Sequence, residues 1–433
     1  MKIAQARKAA FGVLLRVEID QAYSSALLPL AVADLSDNDR SLCYEITLGT
    51  LRRQLYLDHI ISLFAKTGKL DVEVRIALRM ALYQLGFLDR IPAYSAVNDA
   101  VNLVDSVGKS SAKGFVNALL RHEQRQPAEI LVTDSFDKNE LLTSHPRWLL
   151  ERWARNLGFD EAIQLAAANN KVPAVAFRVT ASASVKPQAI EQFAVRSEHV
   201  EGCFLADRFE KELLKFADAG QIYFQDEASQ MAAMAVPISA GTRFLDVCAA
   251  PGGKTTLIAA RARANGIGLY ACAGDTRFSR VELLKENCEK QVGGAVDILQ
   301  YDAERALPFA DESFDSVLVD VPCSGTGTIR HNPEIRYHLK ASDIEELPLK
   351  QLAILVNASK LVARGGILVY STCSVEREEN EDVCDKFLAS AAEAFIKTQP
   401  EVPKRFLTSD GYARTWPHRD AMDGFFIAAL KRL

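Results

Sequence analysis

The sequence lacks the features of a membrane protein, a disulfide-stabilised secreted protein or a strongly basic protein. No stretch approaches the roughly 20 apolar residues needed to cross a bilayer, and the N-terminus has no apolar signal core. The eight cysteines include no CxxC pair, which argues against a zinc site and a disulfide framework. With a net charge of −5 the chain has no general basic field, so a nucleic-acid partner would be held by local patches. We therefore expect a monomeric cytoplasmic protein with reduced thiols, no metal and no membrane contact.

Length and residue pattern divide the chain into three expected domains. A chain of 433 residues is too long for one ordinary core, and its 48% hydrophobic and 25% charged residues are typical of globular proteins. Residues 1–140 show only helical periodicity and are predicted to form an all-α domain. Residues 141–225 combine a helix that starts at Pro146 with a strand over Ala174–Val179, which predicts a small α+β connecting domain.

Residues 226–433 alternate between short apolar runs and amphipathic segments. This alternation predicts an α/β domain with a mostly parallel, Rossmann-like sheet covered by helices on both faces. The last strand ends the chain, and we expect it at an edge of the sheet, antiparallel to the others. The predicted strands are Arg243–Val247, Gly268–Ala273, Val296–Gln300, Ser316–Asp320, Ile367–Ser371 and Phe425–Leu430. The predicted helices are Lys254–Ala262, Ser279–Lys290, Leu347–Val362 and Glu376–Ser390.

Two cysteines each follow a predicted strand. Cys323 lies in the stretch DVPCSGTG (320–327), and Cys373 lies in the stretch YSTCS (370–374). In a parallel sheet the carboxyl ends of the strands meet at one crevice, where ligands bind. The two thiols are therefore expected at one site beside Asp320, and a reactive thiol there indicates covalent chemistry. The cysteines expected to be small buried hydrophobic residues instead are Cys43, Cys203, Cys272, Cys288 and Cys384.

A third stretch, DVCAAPGGKT (246–255), occupies the first strand-to-helix junction and predicts a nucleotide-type cofactor site. Glycines let the backbone approach a ligand closely, and the helix N-terminus offers unpaired N–H groups. The stretch is not a phosphate-binding P-loop, because the first glycine of that loop is absent. Asp246, Asp275 and Asp302 lie at the ends of three consecutive strands and point to an adenosine-containing ligand, with Asp275 on the ribose and Asp302 on the adenine edge. The residues expected to contact the cofactor are Cys248, Ala249, Ala250, Pro251, Gly252, Gly253, Lys254, Asp275, Asp302 and Asp320.

Taken together, these motifs resemble those of the S-adenosylmethionine-dependent RNA cytosine-C5 methyltransferases. The resemblance covers the C-terminal domain, including the cofactor stretch, Asp275 with Arg280 and Asn287, both cysteine stretches and the stretch DGFF (423–426). In the N-terminal domain, the stretches YEITLGTLRR (44–53) and AVNDAV (96–101) resemble RNA-binding domains of the NusB type. Tyr337 departs from the family pattern, which commonly has tryptophan after the proline-glutamate step found here at 333–334.

The resemblance implies an enzyme that transfers a methyl group from S-adenosylmethionine to carbon 5 of a cytosine in 16S ribosomal RNA. It implies that Cys373 attacks carbon 6 of the base, that Cys323 assists proton elimination or product release, and that Asp320 binds the base edge and stabilises the adduct. Lys254 is expected to contact a backbone carbonyl or the cofactor and is assigned no chemical step. The target cytosine must leave its stack, which implies a single-stranded or loop substrate with the base flipped out.

Several basic and aromatic side chains are candidates for RNA contact, with solvated surface positions as the alternative. After the Cys323 loop the candidates are Arg330, His331, Arg336 and Tyr337. In the N-terminal domain they are Arg52, Arg53, Lys109, Lys113 and Arg121.

Two alternatives for the function stay open. The same type of catalytic domain serves transfer RNA and ribosomal RNA, and only the helical N-terminal domain favours ribosomal RNA. A ribosome assembly factor that binds RNA and has lost its activity is the second alternative, although this chain keeps both cysteines and the cofactor stretch. A DNA cytosine methyltransferase uses the Pro-Cys loop alone, so the second thiol at Cys373 argues against that class.

Overall fold

The structure of the chain is a computed structural model that describes residues 3–65, 70–181, 183–185 and 187–433. No helix within these ranges is both long enough and apolar enough to span a membrane. The contacts of the chain divide it into two compact units. The first unit comprises residues 1–171 and 329–339, and the second comprises residues 172–328 and 340–433. The expected division into three domains, with limits near residues 140 and 225, stays a prediction.

Helices and strands are numbered in chain order. The helices are α1 (Gln5–Asp20), α2 (Ser24–Ala31), α3 (Asp37–Arg52), α4 (Gln54–Phe64), α5 (Val72–Phe87), α6 (Ala93–Ser106), α7 (Lys113–Arg125), α8 (Ser135–Thr143), α9 (Arg147–Leu157), α10 (Phe159–Ala168), α11 (Pro187–Ile190), α12 (Lys211–Asp218), α13 (Glu227–Met234), α14 (Gly253–Ala264), α15 (Phe278–Val292), α16 (Ile335–His338), α17 (Ala341–Ser359), α18 (Glu381–Ser390) and α19 (Pro417–Asp420). The strands are β1 (Val175–Val179), β2 (Val195–Arg196), β3 (Cys203–Ala206), β4 (Ile222–Phe224), β5 (Thr242–Asp246), β6 (Leu269–Asp275), β7 (Val296–Gln300), β8 (Phe314–Asp320), β9 (Val362–Thr372), β10 (Phe395–Thr398), β11 (Ala413–Thr415) and β12 (Phe425–Arg432).

The first unit is helical throughout the residues described, which confirms the predicted all-α N-terminal part. In α1 most of the apolar residues recur at helical spacing and are buried in the core, where the helix packs against α3 and α5. The helix α3 begins after Ser36, whose hydroxyl accepts a hydrogen bond from the Asp39 amide and so caps the helix. Arg79 of α5 is buried, but it is paired with Glu18 and Asp58 at 2.9 and 2.6 Å.

The segment 329–339 belongs to the first unit and corrects one prediction. Arg336 is fully buried, and its guanidinium donates hydrogen bonds to the Thr143 carbonyl and to Asn170 Oδ1 at 3.1 and 2.8 Å. Burial lowers the pKa of Arg336 to about 10. Arg330 is also buried, at 5% exposure. The prediction that these two arginines contact RNA phosphates is therefore wrong, because both side chains lie inside the unit.

Two other predicted RNA contacts in this unit take part in internal hydrogen bonds. The Tyr337 hydroxyl donates to the carbonyls of Leu51 and Ser144 at 2.7 and 3.1 Å. Arg52 is buried and donates to a main-chain carbonyl at 3.1 Å, so it offers no free charge to a phosphate. The candidates whose RNA contact stays a prediction are Arg53, Lys109, Lys113, Arg121 and His331.

The second unit contains a small antiparallel sheet with strand order β2-β3-β1-β4. Its core holds Phe177 and Phe204, whose rings stack with centroids 5.7 Å apart. Together with α11 and α12, this sheet supplies the α+β element that the sequence predicts after the N-terminal helices.

The larger sheet of the second unit has the order β10-β12-β9-β8-β5-β6-β7, with β11 paired to β12. The strands from β9 to β7 in this order are parallel, which confirms the predicted mostly parallel sheet. Parallel strands are covered on both faces, and β8 accordingly is buried without interruption over residues 316–319, with an apolar run at 317–319.

The position predicted for the last strand is wrong, although its antiparallel direction is confirmed. Strand β12 lies inside the sheet, between β9 and β10, and is antiparallel to both. Residues 425–430 are all buried, as a strand with neighbours on both sides requires. The strand β10 was not predicted from the sequence; it is a short stretch with two exposed residues that pairs outside β12 and takes the edge position.

Candidate active site

Four neighbouring parallel strands bring the predicted site residues to one edge of the large sheet. In the order of the sheet, β9 ends at Thr372, β8 at Asp320, β5 at Asp246 and β6 at Asp275. The loops after these strands carry the two cysteines and the glycine-containing stretch. The carboxyl edge of such a sheet is where α/β proteins bind ligands.

The two predicted cysteines are in direct contact. Cys323 Sγ and Cys373 Sγ lie 3.3 Å apart, each in the loop that follows its strand. The hydrogen bond with Cys373, together with burial, raises the pKa of the Cys323 thiol well above its ordinary range. Cys323 is therefore the thiol that keeps its proton, and it can donate that proton in a hydrogen bond to the Cys373 sulfur.

The two cysteine loops cross each other closely at a glycine. The Gly327 amide donates to the Cys373 carbonyl at 3.0 Å, and the Gly424 amide donates to the Gly327 carbonyl at 2.9 Å. A Cβ atom at position 327 would lie 1.9 Å from the Gly424 carbonyl oxygen, so a side chain at this position has no space. The glycine in the cysteine stretch thus permits the close approach of the two loops.

Lys254 and Asp320 form an ion pair beside the thiols. The Lys254 ammonium lies 2.7 Å from Asp320 Oδ2, and the Ser371 hydroxyl donates to Asp320 Oδ1 at 2.7 Å. Burial opposes the charge of Lys254, but Asp320 and Cys373 outweigh that effect and raise its pKa above the ordinary value. The sequence reasoning expected Lys254 to contact a carbonyl or the cofactor, whereas its partner in the structure is the Asp320 carboxylate.

The glycine-containing stretch forms a tight turn into α14. Gly252 has a φ of +101°, and a Cβ there would lie 2.8 Å from the Leu284 side chain. The Asn287 amide donates to the Pro251 carbonyl at 2.8 Å, so α15 also supports the turn. These contacts hold the main chain of the turn close to the carboxyl end of β5.

Asp275 anchors the same turn from the neighbouring strand. Its carboxylate accepts hydrogen bonds from the Ala250 amide at 3.2 Å and from Arg280 Nε at 3.0 Å. Arg280 also donates to the Ala250 carbonyl at 2.7 Å. Asp302, in contrast, is exposed after β7 and forms an ion pair with Arg305 at 3.3 Å. Both acids lie at strand ends as expected, but only Asp275 is fixed in the turn.

Asp246 is a buried acid with one oxygen left without a partner. The Thr255 hydroxyl donates to Asp246 Oδ2 at 2.6 Å, while Oδ1 has no hydrogen-bond partner among the residues that the structure describes. Burial raises the pKa of Asp246 to about 7. An unpaired buried carboxylate oxygen is costly, and at the ligand edge of a sheet it is available to a donor or a cation.

Five other cysteines were predicted to be small buried hydrophobic residues, and this holds for all of them except Cys272. Cys43, Cys203, Cys288 and Cys384 are buried, and Cys272 is half-buried. Cys248 in the glycine-containing stretch is half-buried, and burial raises the pKa of its thiol well above the ordinary range.

Two charged residues near the site were missed by the sequence reasoning. Arg178 of β1 is 2% exposed and donates to the Gly253 carbonyl and to Thr256 Oγ1 at 3.1 and 2.8 Å. The sequence feature that could have revealed this residue is an arginine inside an otherwise apolar predicted strand. Glu379 is fully buried between the cysteine loops. It lies in an acidic stretch of the kind that is typical of exposed surface, so the sequence did not indicate that this side chain is buried.

Comparisons with known proteins agree with this architecture. The sequence profile described as 16S rRNA methyltransferase RsmB/F matches residues 233–431, and the NusB family profile matches residues 4–125. A Bacillus subtilis protein named "Probable ribosomal RNA small subunit methyltransferase B" is 34% identical over 450 residues, with 100% of each chain covered. A Pseudomonas syringae pv. tomato protein named "Ribosomal RNA small subunit methyltransferase B" is 32% identical, covering 99% of this chain and 97% of the relative.

Solved structures show the same fold. The crystal structure of PH0851 matches with a TM-score of 0.85 at 27% identity, over 99% of both chains. The structure of NSun6 from Pyrococcus horikoshii with SFG matches with a TM-score of 0.58 at 21% identity, over 67% of this chain and 99% of the other. The full-length identity to the relatives and the two matching profiles lead to one conclusion. This chain belongs to the ribosomal RNA small subunit methyltransferase B family, with an N-terminal NusB-family domain.

Proposed function

We propose that this chain transfers a methyl group from S-adenosylmethionine to carbon 5 of a cytosine in 16S ribosomal RNA, through a covalent bond between Cys373 and carbon 6 of the base. The observation that carries the proposal is the contact of two thiols at 3.3 Å beside the Lys254–Asp320 ion pair. Membership in a family of small-subunit ribosomal RNA methyltransferases supports the class of reaction and of substrate.

The residues at the carboxyl edge of the sheet fit a cationic, adenosine-containing methyl donor. When bound, S-adenosylmethionine supplies an electrophilic methyl group on a sulfonium. The unpartnered Oδ1 of Asp246 suits a positively charged group, and the turn at Gly252 lets main-chain groups approach a ligand. Asp275 and Asp302 are proposed for the ribose and the adenine edge. The residues proposed to hold the donor are Cys248, Ala249, Ala250, Pro251, Gly252, Gly253, Lys254, Asp275, Asp302 and Asp320.

Cys373 is proposed as the nucleophile. Its thiolate adds to carbon 6 of the cytosine, which turns carbon 5 into the nucleophilic end of an enamine. Two groups lie beside its sulfur: the Cys323 thiol, at 3.3 Å, and the positively charged Lys254 ammonium. In this proposal Cys323 keeps its proton and Cys373 is the sulfur that attacks the base.

Asp320 is proposed to recognise the base and to stabilise the adduct. Each oxygen of its carboxylate already accepts one hydrogen bond, from Lys254 and from Ser371. A carboxylate has about four lone-pair sites, so Asp320 can still accept a hydrogen bond from a donor on the N3/N4 edge of the cytosine. The ion pair with Lys254 and the hydrogen bond from Ser371 orient this carboxylate before the base arrives.

Cys323 is proposed to assist release of the product. In this step the proton on carbon 5 passes to a base, with Cys323 or solvent water as the acceptor, the double bond between carbons 5 and 6 forms again, and Cys373 departs as a thiolate. The contact with Cys373 places the second thiol next to the bond that breaks. The base must be out of its stack for both thiols to reach the ring, so the proposed substrate is an accessible cytosine in a single strand or loop.

The experiment that tests this function is bisulfite mapping of ribosomal and transfer RNA from a strain that lacks the gene. We expect 5-methylcytosine to be lost from 16S ribosomal RNA and restored by the wild-type gene, but not by Cys373→Ala. Asp382→Asn, which removes a surface ion pair with Arg377, serves as the matched control and should restore the mark. A loss confined to transfer RNA would contradict the proposed substrate, and unchanged RNA of both kinds would favour the inactive assembly factor.

A further inference from the structure

A carboxylate lies buried between the two cysteine loops and has no role in the mechanism so far. Glu379 is at the end of a short 3-10 turn before α18, and its exposure is 0%. Burial of a charged carboxylate is unfavourable unless several donors satisfy it. The hydrogen-bond donors around Glu379 therefore indicate which part of the structure this carboxylate holds together.

The Glu379 carboxylate accepts hydrogen bonds from the residues that directly follow the two cysteines. Oε1 accepts from the Ser324 amide at 2.8 Å, and Oε2 accepts from the hydroxyls of Ser324 and Ser374 at 2.5 Å each. The two serine oxygens are 3.1 Å apart, within reach of each other as well. One carboxylate thus joins the loop after Cys323 to the loop after Cys373.

A fourth donor fixes the carboxylate from outside the two loops. Gln351 Nε2 of α17 donates to Glu379 Oε1 at 2.9 Å and to the Pro322 carbonyl at 3.0 Å. The Tyr370 hydroxyl donates to the Glu379 carbonyl at 2.6 Å, which holds the main chain of the same residue. All of these donors are neutral, so in the described part of the chain the charge of Glu379 is met by hydrogen bonds and not by a cation.

We propose that Glu379 is a positioning residue for methyl transfer: it clamps the two cysteine loops together through Ser324 and Ser374 and thereby fixes the contact between the thiols. The inference rests on the roles proposed above for Cys323 and Cys373. A carboxylate is suited to the task because its two oxygens accept several hydrogen bonds in fixed directions, and charged acceptors form the stronger bonds.

The charge of Glu379 also acts on one of the thiols. After the hydrogen bond with Cys373 and burial, the negative charges of Cys373 and Glu379 further raise the pKa of the Cys323 thiol. This effect helps to keep the proton on Cys323, in agreement with the unequal roles of the two cysteines. A residue that merely filled space would leave the ionisation of Cys323 unchanged.

Two variants separate the geometry of the clamp from its charge. Glu379→Gln removes the charge and keeps one carbonyl acceptor, whereas Glu379→Asp keeps the charge and shortens the reach to the serines. We expect kcat on 16S ribosomal RNA to fall by at least about tenfold in each variant, because small displacements of reacting groups have effects of this size or larger. The Kd for S-adenosylmethionine should change by less than about twofold in each, since no hydrogen bond among the described residues joins Glu379, Ser324 or Ser374 to the turn at Gly252–Gly253.

The discriminating readout is the rate of alkylation of each thiol by iodoacetamide as a function of pH, followed by peptide mass spectrometry without RNA. For Cys323 the midpoint should move to lower pH in Glu379→Gln. It should stay near the wild-type value in Glu379→Asp and in the control Asp382→Asn. Wild-type kcat in Glu379→Gln, or a Cys323 profile that does not move, would overturn the proposal. A Kd that rises in parallel with the loss of kcat would also overturn it.

This test can be separated from that of the proposed function. If Cys373→Ala still methylates cytosine, the proposed function fails, while alkylation continues to report on the clamp. If Cys373→Ala is inactive and Glu379→Gln behaves like the wild type, only the clamp is refuted.

Discussion

The buried Asp246 gives a prediction about stability that can be worked out from the structure. In the folded protein burial raises its pKa to about 7, whereas an aspartate in an unfolded chain has a pKa near 3.9. Asp246→Asn removes the ionisable group but keeps a carbonyl that can accept the hydrogen bond from Thr255, which is 2.6 Å long in the wild type. We therefore expect the variant to be more stable than the wild type at alkaline pH in the absence of ligand.

The sign and size of this effect follow from proton linkage. Below about pH 4 the carboxyl is neutral in both states, and its favourable contribution to folding is fully present. As the pH rises toward 7, the unfolded state ionises first, and the contribution is lost. A difference of about 3 pKa units corresponds to about 4 kcal/mol of unfolding free energy. The advantage of Asn over Asp should therefore grow by about 4 kcal/mol between pH 4 and pH 7.5 and then level off.

Urea unfolding of both proteins at a series of pH values measures this advantage directly. The difference between the two unfolding free energies cancels the titration of groups that the substitution leaves unchanged. A difference that does not vary between pH 4 and pH 7.5 would refute the reasoning. A difference that falls with pH would mean that the carboxylate is stabilised in the folded state, contrary to its burial and its unpartnered oxygen.

Three further substitutions test other contacts. Arg178→Met should raise the Kd for S-adenosylmethionine by about tenfold, measured by calorimetry, because the start of α14 loses a buried donor; an unchanged Kd would contradict this. Gly327→Ala should abolish methyl transfer in a tritium-release assay, because its Cβ would lie 1.9 Å from a carbonyl oxygen; retained activity would refute the close crossing of the loops. Arg336→Met should lower the unfolding free energy by about 2 kcal/mol and leave the salt dependence of RNA binding unchanged; a shallower salt dependence would restore Arg336 as a phosphate contact.

Features with a local signature were predictable from the sequence. The continuous apolar run before Asp320 indicated a buried parallel strand, and β8 covers it. The residues of the site could be placed together because the carboxyl ends of parallel strands meet at one edge. The contact between Cys323 and Cys373 is an example, since each thiol follows its own strand in a neighbouring position of the sheet.

Features that depend on distant partners were not predictable in the same way. Arg336 resembled an RNA contact, but its guanidinium meets the Thr143 carbonyl, 193 positions away in the chain. Glu379 resembled a solvated acid, because the serines that bury it follow the two cysteines. The edge strand β10 was missed since it is only 4 residues long and two of these are exposed. In each case the interaction that determines the structure joins residues far apart in the chain, so a local sequence pattern cannot predict it.

The two thiols are proposed to have unequal roles, and a denaturing gel of the cysteine variants tests this directly. Each variant is incubated with 16S ribosomal RNA and S-adenosylmethionine and then separated under denaturing conditions. We expect Cys323→Ala to accumulate a covalent protein–RNA complex, because the bond between Cys373 and carbon 6 forms but breaks slowly. We expect Cys373→Ala to form no such complex. A stable complex with Cys373→Ala and none with Cys323→Ala would contradict the assignment of the nucleophile.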